Sequence, residues 1–320
     1  MTGAEPLRSR SKKAWLQPLE INVFLDYDQT LVDKFQVLLD SNENIGKKRE
    51  QEVQDFLEEH TELIPTISEV SAQVHMNSII SKFPLARGMI TDYVFLTRNS
   101  GRWEITLVEL EVPEKPIYLA DVDRPSFSSD FTRAEAQVRQ WKRYVENNRT
   151  QVIEALRPIM KPDMDPPNPV EFRYQLIIGR SDTKNLTTER KEDFNKHQRE
   201  SGIQVMTYDR VINIYRDGIR SKRNVMRASK NRFAFKSLLP NPYHIFSVLS
   251  PTVLKLTTEQ IADLEKDGHH MDAWKRGELL IVNNKKPISA VQTVLKVGGS
   301  LKSLTPAFEK QNGKPDQTDP

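Results

Sequence analysis

The chain has 320 residues, enough for two domains or one domain with large additions, and its 37% hydrophobic and 28% charged content describes a soluble globular protein with a polar surface. Zero cysteines exclude disulfides, thiolate zinc sites and cysteine catalysis and fit a reducing cytoplasm; no apolar run is long enough to span a bilayer, and Met1–Trp15 lacks a signal-peptide core. The net charge of +3 is small, so nucleic-acid affinity has to come from a local patch, and the adjacent pair His269-His270 reads as a surface loop rather than a metal site.

Met1 to about Lys13 is polar and basic and reads as disordered, and Ile21–Leu25 alternates like a strand ahead of a short amphipathic stretch around Phe35, Val37 and Leu38. From Asn44 to Ile64, Val53, Phe56, Leu57, His60, Leu63 and Ile64 recur at helical spacing until Pro65 stops the helix. Glu50 lies on that buried stripe one turn upstream, either half-exposed at its end or aimed at something, and Glu52 borders the same face as an alternative. Residues 68–83 alternate like a strand.

Ile90–Val112 is the segment around which the rest is arranged. Two runs of β-branched and aromatic residues flank Thr97–Arg102, where Ser100-Gly101 offers a tight turn, so the segment reads as a β-hairpin. Alternate strand residues share a face, which sets Glu109 and Glu111 side by side with Leu107. A two-residue turn at Ser100-Gly101 would pair Asn99 with Arg102 and put Asp92 opposite Glu109. A four-residue loop would make Asp92 and Glu109 diagonal neighbours at roughly 7–8 Å, and an odd-length loop would separate them to opposite faces. Carboxylates this close repel one another unless a cation sits among them, and Mg²⁺ or Mn²⁺ is the usual occupant of an all-oxygen site. The competing reading is a solvated sheet face with Lys or Arg neighbours, against which the apolar company of Ile105, Leu107, Val108 and Leu110 counts.

Pro113–Ser129 reads as a loop. A helix beginning near Ser129, which could cap it, carries the stripe Ala134, Val138, Trp141 and Val145. Gln137 sits beside that stripe, as an ordinary interfacial glutamine or as an amide reaching toward the acids. Arg157–Pro169 holds five prolines and reads as a loop or linker, Phe172–Ile178 as an apolar strand, Asn185–Ser201 as a charged helix and Ile203–Met206 as a short strand. The order of elements predicts an α/β sandwich with the acids on its central hairpin. Arg216–Lys236 holds eight Lys or Arg against the single acid Asp217, with Phe233 and Phe235 interleaved, which suits either a phosphate- and base-binding stretch or a solvated basic linker. Its Arg220, Lys222, Arg223, Arg227, Lys230 and Arg232 are the candidate nucleic-acid contacts. From Leu238 a smaller unit follows, with helices at Thr258–Lys266 and Asp272–Arg276 and a strand at Leu279–Val282, and beyond Thr305 the tail reads as disordered.

Glu50-x-x-Val53-Gln54-x-Phe56-Leu57-Glu58-x-His60-x-x-Leu63, then Asp92-Tyr93, then Trp103 with Val108-Glu109-Leu110-Glu111-x-Pro113, then Ala136-Gln137 with Trp141 and Tyr144, resemble the Shedu defence nucleases of bacteria. That family belongs to the PD-(D/E)XK phosphodiesterases, and the resemblance covers roughly residues 46–216. It implies a restriction-endonuclease-like three-layer core, a central mixed sheet flanked by helices, with an N-terminal extension at 1–45 and a basic segment and small C-terminal region at 217–320. It also implies a Mg²⁺- or Mn²⁺-dependent DNA endonuclease acting on phage DNA, cytoplasmic and homo-oligomeric. Carried over by position, Asp92, Glu109 and Glu111 are the metal ligands, with Glu50 the helix acid and Gln137 the helix amide of the catalytic set. One departure stands out: Glu111 occupies the place where the superfamily signature has Lys. Lys115, Arg139, Lys142 and Arg143 are candidates for the missing charge. The alternative is a catalytically inactive nucleic-acid-binding or sensor protein that keeps the fold.

Overall fold

Asn99 decides the geometry of the central hairpin. Its side-chain Oδ1 accepts from the backbone N–H groups of Gly101 (2.8 Å) and Arg102 (2.9 Å), and its own N–H donates to the Arg102 carbonyl at 3.1 Å, which closes a two-residue turn at Ser100-Gly101. The computed structural model describes residues 24–41, 47–119, 124–160, 168–242, 244–281 and 285–290. The segment Met1–Lys13, most of the Ile21–Leu25 stretch and the tail beyond Thr305 lie outside them.

Three strands form the antiparallel heart of the fold: β1 (Ser78–Ala86), β2 (Met89–Arg98) and β3 (Trp103–Leu110). Parallel strands β4 (Val170–Ile177) and β5 (Gln204–Met206) extend the sheet beyond β3. On the other side β6 (Asn224–Ser229) pairs parallel with β1 and turns back as β7 (Arg232–Ser237), which β8 (Leu254–Lys255) edges. The result is one mixed eight-stranded sheet in the order β5-β4-β3-β2-β1-β6-β7-β8.

Helices cover both faces, and strand alternation explains how. Trp103, Ile105 and Leu107 join a core with Phe131, Ala134, Val138 and Trp141 of α3 (Ser129–Asn147) and Val152 and Leu156 of α4 (Arg149–Met160). Tyr93, Phe95, Val108 and Leu110 join a second core with Leu31, Val32 and Phe35 of α1 (Gln29–Asp40), Val53 and Leu57 of α2 (Lys47–Glu59), and Val211 and Ile212 of α7 (Tyr208–Asp217). β3 is therefore buried along its whole length, acids included. Helices α5 (Ser181–Asn185) and α6 (Thr188–Ser201) lie between β4 and β5 in the chain. After β7 come α8 (Ile245–Val248), α9 (Thr258–Lys266), α10 (Met271–Lys275) and the small pair β9 (Leu280–Ile281) and β10 (Lys286–Pro287). Phe246, Leu264 and Trp274 pack this end into the same core as α3.

Several expectations are corrected. The stretch around Phe35 is a full helix, because Asp28 caps it by accepting from the N–H groups of Thr30 and Leu31. The strand expected at 68–83 begins only at Ser78, after a turn in which Met76 and Asn77 adopt positive φ. Ser128, not Ser129, caps α3 by accepting from Phe131 N–H at 3.0 Å. Helix α4 runs into the expected proline-rich loop and carries Pro158 inside it; α7, not expected from the sequence, buries Tyr208, Val211, Ile212 and Tyr215 at helical spacing behind the cap Thr207. The basic stretch itself is no linker: its β6 and β7 belong to the main sheet, and Phe233 and Phe235 are buried in the core, so they cannot stack on bases.

Arg223 belongs to the same correction. It is buried, and its guanidinium donates to the Thr61 carbonyl (2.7 Å) and to Thr66 Oγ1 (2.9 Å), tying β6 to the turn after α2. Burial lowers its pKa to about 10, which leaves it charged at neutral pH. Arg223→Ala is accordingly expected to lower the unfolding free energy by roughly 2–4 kcal/mol, since it strands buried acceptors, and a urea-denaturation midpoint will read the loss directly.

Candidate active site

The register set by Asn99 carries through β2 and β3, with Arg98 against Trp103 and Tyr93 against Val108; one step further places Asp92 across from Glu109. On the other flank Ser81 pairs with Tyr93 and Phe83 with Thr91, so Lys82 stands across from Asp92. Lys82, Asp92 and Glu109 thus form a row over three adjacent strands. At Asp92 the backbone ladder gives way to the side chain, whose Oδ2 accepts from Leu110 N–H at 2.6 Å. That bond aims the carboxylate toward the end of β3.

Asp92 and Glu109 are 4% and 6% exposed and lie close enough that the charge of Asp92 weighs on Glu109. Burial and a neighbouring negative charge both favour the protonated form of a carboxyl group. Burial is the largest cause that drives Glu109 far above the ordinary carboxylate range, followed by the negative charges of Asp92 and Glu111. From α3, Gln137 Nε2 donates to Glu109 Oε1 at 2.5 Å, so the amide does reach the acids. From α2, Glu50 completes the group: burial first and Asp92 next raise its pKa, against the pull of Lys82. Arg49, buried beside it, holds the start of α2 through Glu114 at 2.7 Å and the carbonyl of Leu38. Glu52, the alternative helix acid, pairs instead with Arg49 at 3.6 Å.

Two lysines balance these acids. Lys82 Nζ lies 2.5 Å from Asp92 Oδ1 and 3.8 Å from Glu50 Oε1. Lys115 Nζ donates to Glu111 Oε2. Burial alone would lower the Lys82 pKa, but Asp92, Glu50 and Glu109 outweigh it and hold the pKa above its usual value. The remaining candidates for the missing charge point elsewhere: Arg139 binds Glu135 at 2.8 Å and Lys142 the Ser201 carbonyl at 3.1 Å, while Arg143 is exposed. Tyr208 of α7 closes the floor, donating its hydroxyl to the Glu111 carbonyl at 2.7 Å; burial and then the charges of Asp92, Glu111 and Glu50 push its phenol well above the normal value.

The structure therefore gathers Glu50, Asp92, Glu109 and Gln137 at one place, with Gln137 on Glu109, Lys82 between Asp92 and Glu50, and Glu111 close enough to act on Glu109 electrostatically. Among the described residues no group of three or more His, Asp or Glu side chains is arranged to hold a metal ion, and the lysine pairs satisfy Asp92 and Glu111. The donor set nevertheless suits a hard divalent cation. It is all carboxylate oxygen, and Glu109 is buried in a negative field that only a proton or a cation relieves. Of the candidate nucleic-acid contacts, Lys222, Arg227, Lys230 and Arg232 are exposed, the last two at the turn of the β6–β7 hairpin. Arg220 is occupied: it donates to the carbonyls of Leu25 (3.2 Å) and Tyr215 (3.0 Å) and lies over the rings of Tyr27 and Tyr215. Sequence reasoning missed Lys82 and Tyr208. A lone lysine in the apolar run Ile79–Leu85 was the available signal for the first; nothing in the sequence singles out the second.

The family described as Shedu protein SduA, C-terminal, matches residues 47–212, a span that holds every acid of the site and Gln137. No curated protein matches the chain.

Glu109 and Glu50 both bind protons more tightly folded than unfolded. Their stabilisation is complete below the ordinary carboxyl value of about 4.5 and is lost as pH rises toward the folded-state values. Metal-free protein should therefore melt at progressively lower temperature from about pH 4.5 to pH 8. Glu109→Gln, which keeps the shape without the charge, should stabilise by on the order of 1–3 kcal/mol at neutral pH and converge with the unaltered protein near pH 4. Melting curves across that range in a chelating buffer will show whether the two profiles separate.

Proposed function

The chain belongs to the Shedu family, and from that premise we propose that it is a Mg²⁺- or Mn²⁺-dependent DNA endonuclease of bacterial antiphage defence, built on a PD-(D/E)XK-type core. The observation that carries this reading is the placement of Asp92 and Glu109 opposite one another on neighbouring strands, both buried, with the charges of Glu50 and Glu111 close by. Asp92 and Glu109 are the groups that would hold the ion, with Glu111 as a third ligand once it leaves Lys115. A divalent ion bound there would polarise the scissile phosphate and lower the pKa of an attacking water.

The chain's own contribution is orientation. Leu110 N–H holds Oδ2 of Asp92 and Gln137 holds Oε1 of Glu109, so Glu109 keeps a second oxygen for a ligand, while Oδ1 of Asp92 carries Lys82, which has to leave before an ion binds there. Glu50 borders the same space from α2, and burial of the row limits competing water. Lys222, Arg227, Lys230 and Arg232 supply exposed positive charge that suits a phosphate backbone. A cytoplasmic homo-oligomer acting on phage DNA fits the family; no described helix is long and apolar enough to cross a membrane.

An inactive DNA-binding or sensor protein is the second reading. In its favour, Lys82 and Lys115 already neutralise Asp92 and Glu111 without a metal. One assay separates the two: plasmid, linear and phage DNA incubated with purified protein across Mg²⁺ and Mn²⁺. Cleavage should require the ion, and Asp92→Asn and Glu109→Ala should each reduce it by more than about 100-fold, the scale on which even outer partners of a metal site act. Cleavage that survives both substitutions removes the site assignment. Salt-sensitive binding without turnover, weakened by Arg227→Ala and Arg232→Ala, establishes the second reading instead.

A further inference from the structure

Lys82 adopts a φ of +49° inside β1, a left-handed conformation that a non-glycine residue pays for in strain. Such residues persist where surrounding structure over-determines them, and they cluster at functional sites. Here the surroundings are β2 on one side, paired before and after Lys82, and the acids that receive its ammonium. The kink also lets Ile80 and Phe83, three residues apart, share one apolar core, while Ser81 between them turns to Glu58 of α2 at 2.5 Å. The lysine side chain remains 34% exposed, so its ammonium meets both the acids and the outside.

We propose that Lys82 is the site's own movable cation: it neutralises Asp92 and Glu50 in the absence of metal, releases Asp92 when that carboxylate binds a divalent ion, and then engages the substrate phosphate. It thereby supplies the positive charge that Glu111 displaces from the signature position. This inference rests on the nuclease reading. Three features carry it. Arg139 and Lys142 are held by groups outside the acid cluster and Lys115 by Glu111 at its margin, whereas Lys82 sits on Asp92, one of the two central carboxylates a metal would need. An ammonium and a divalent ion on one carboxylate repel each other strongly in a half-buried site, so occupation by one weakens the other. Glu50, 3.8 Å away, keeps a counter-charge for Lys82 after it leaves Asp92, and a four-carbon stem allows the ammonium to swing without moving the strand.

The test uses the full chain and three variants, Lys82→Met, Lys82→Gly and Lys82→Arg. Lys82→Gly removes the charge while relieving the left-handed backbone, which separates electrostatics from folding. Calorimetric titration with Mn²⁺ alone should show Lys82→Met and Lys82→Gly binding roughly 3- to 10-fold tighter, the scale of one partly screened charge. At saturating Mn²⁺ the same variants should cleave DNA at least about 100-fold more slowly, with Lys82→Arg recovering part of the rate and the original affinity. A lysine that serves only the fold would weaken binding and cleavage together. Unchanged or weaker Mn²⁺ binding in both charge-removing variants, or undiminished cleavage, overturns the proposal. If the unaltered protein cleaves no DNA with either ion, the nuclease reading falls separately, and the Mn²⁺ affinities alone decide whether Lys82 competes for the site.

Discussion

A hairpin turn of even length is the constraint on which the site depends. Asn99 closes a two-residue turn, and from that point the pairing of β2 with β3 is settled residue by residue up to Asp92 and Glu109. One residue more in the turn would rotate one strand's side chains to the other face, and the two acids would lie on opposite sides of the sheet. A surface turn thereby controls a buried chemical arrangement about seven residues away along each strand.

The acids gathered there are costly to keep. Glu109 has little access to water and faces three other carboxylates, and the fold answers with partial compensation from several elements. Gln137 comes from α3, Lys82 from β1, Lys115 from the loop after β3, and the backbone N–H of Leu110 from the strand itself. Each removes part of the repulsion, yet the burial of Glu109 still favours its protonated form. Structures meant only to be stable seldom retain such an arrangement, because replacing the acids with apolar groups would be easier on the fold.

The second helix links this row to β7, next to the far edge of the sheet. Glu50 meets Lys82; two turns on, Glu58 accepts from Gln54 (3.0 Å) and Ser81 and receives Lys236 of β7 at 2.5 Å. The β6–β7 hairpin is thus tied to α2 through side chains as well as to β1 through its backbone. Its basic residues divide accordingly. Arg223 and Lys236 hold the fold together, while Arg227, Lys230 and Arg232 remain at the surface.

The alternation of Ile105 to Leu110, the helical stripe of Ala134, Val138, Trp141 and Val145, and the glycine-bearing turn were legible from residue order, because side-chain period follows directly from local backbone geometry. So was the meeting of Asp92 with Glu109, once a two-residue turn was assumed, and the motif set that resembles the family the chain belongs to. What residue order could not reveal depends on pairings between segments far apart. Lys82 reaches Asp92 only because β1 aligns with β2 and bends at a left-handed residue. Arg223 looks like a phosphate contact until Thr61 and Thr66, more than 150 positions away, enclose it. Charge alone does not say whether a side chain will face solvent or a carbonyl, since that choice is made by whichever element packs against it.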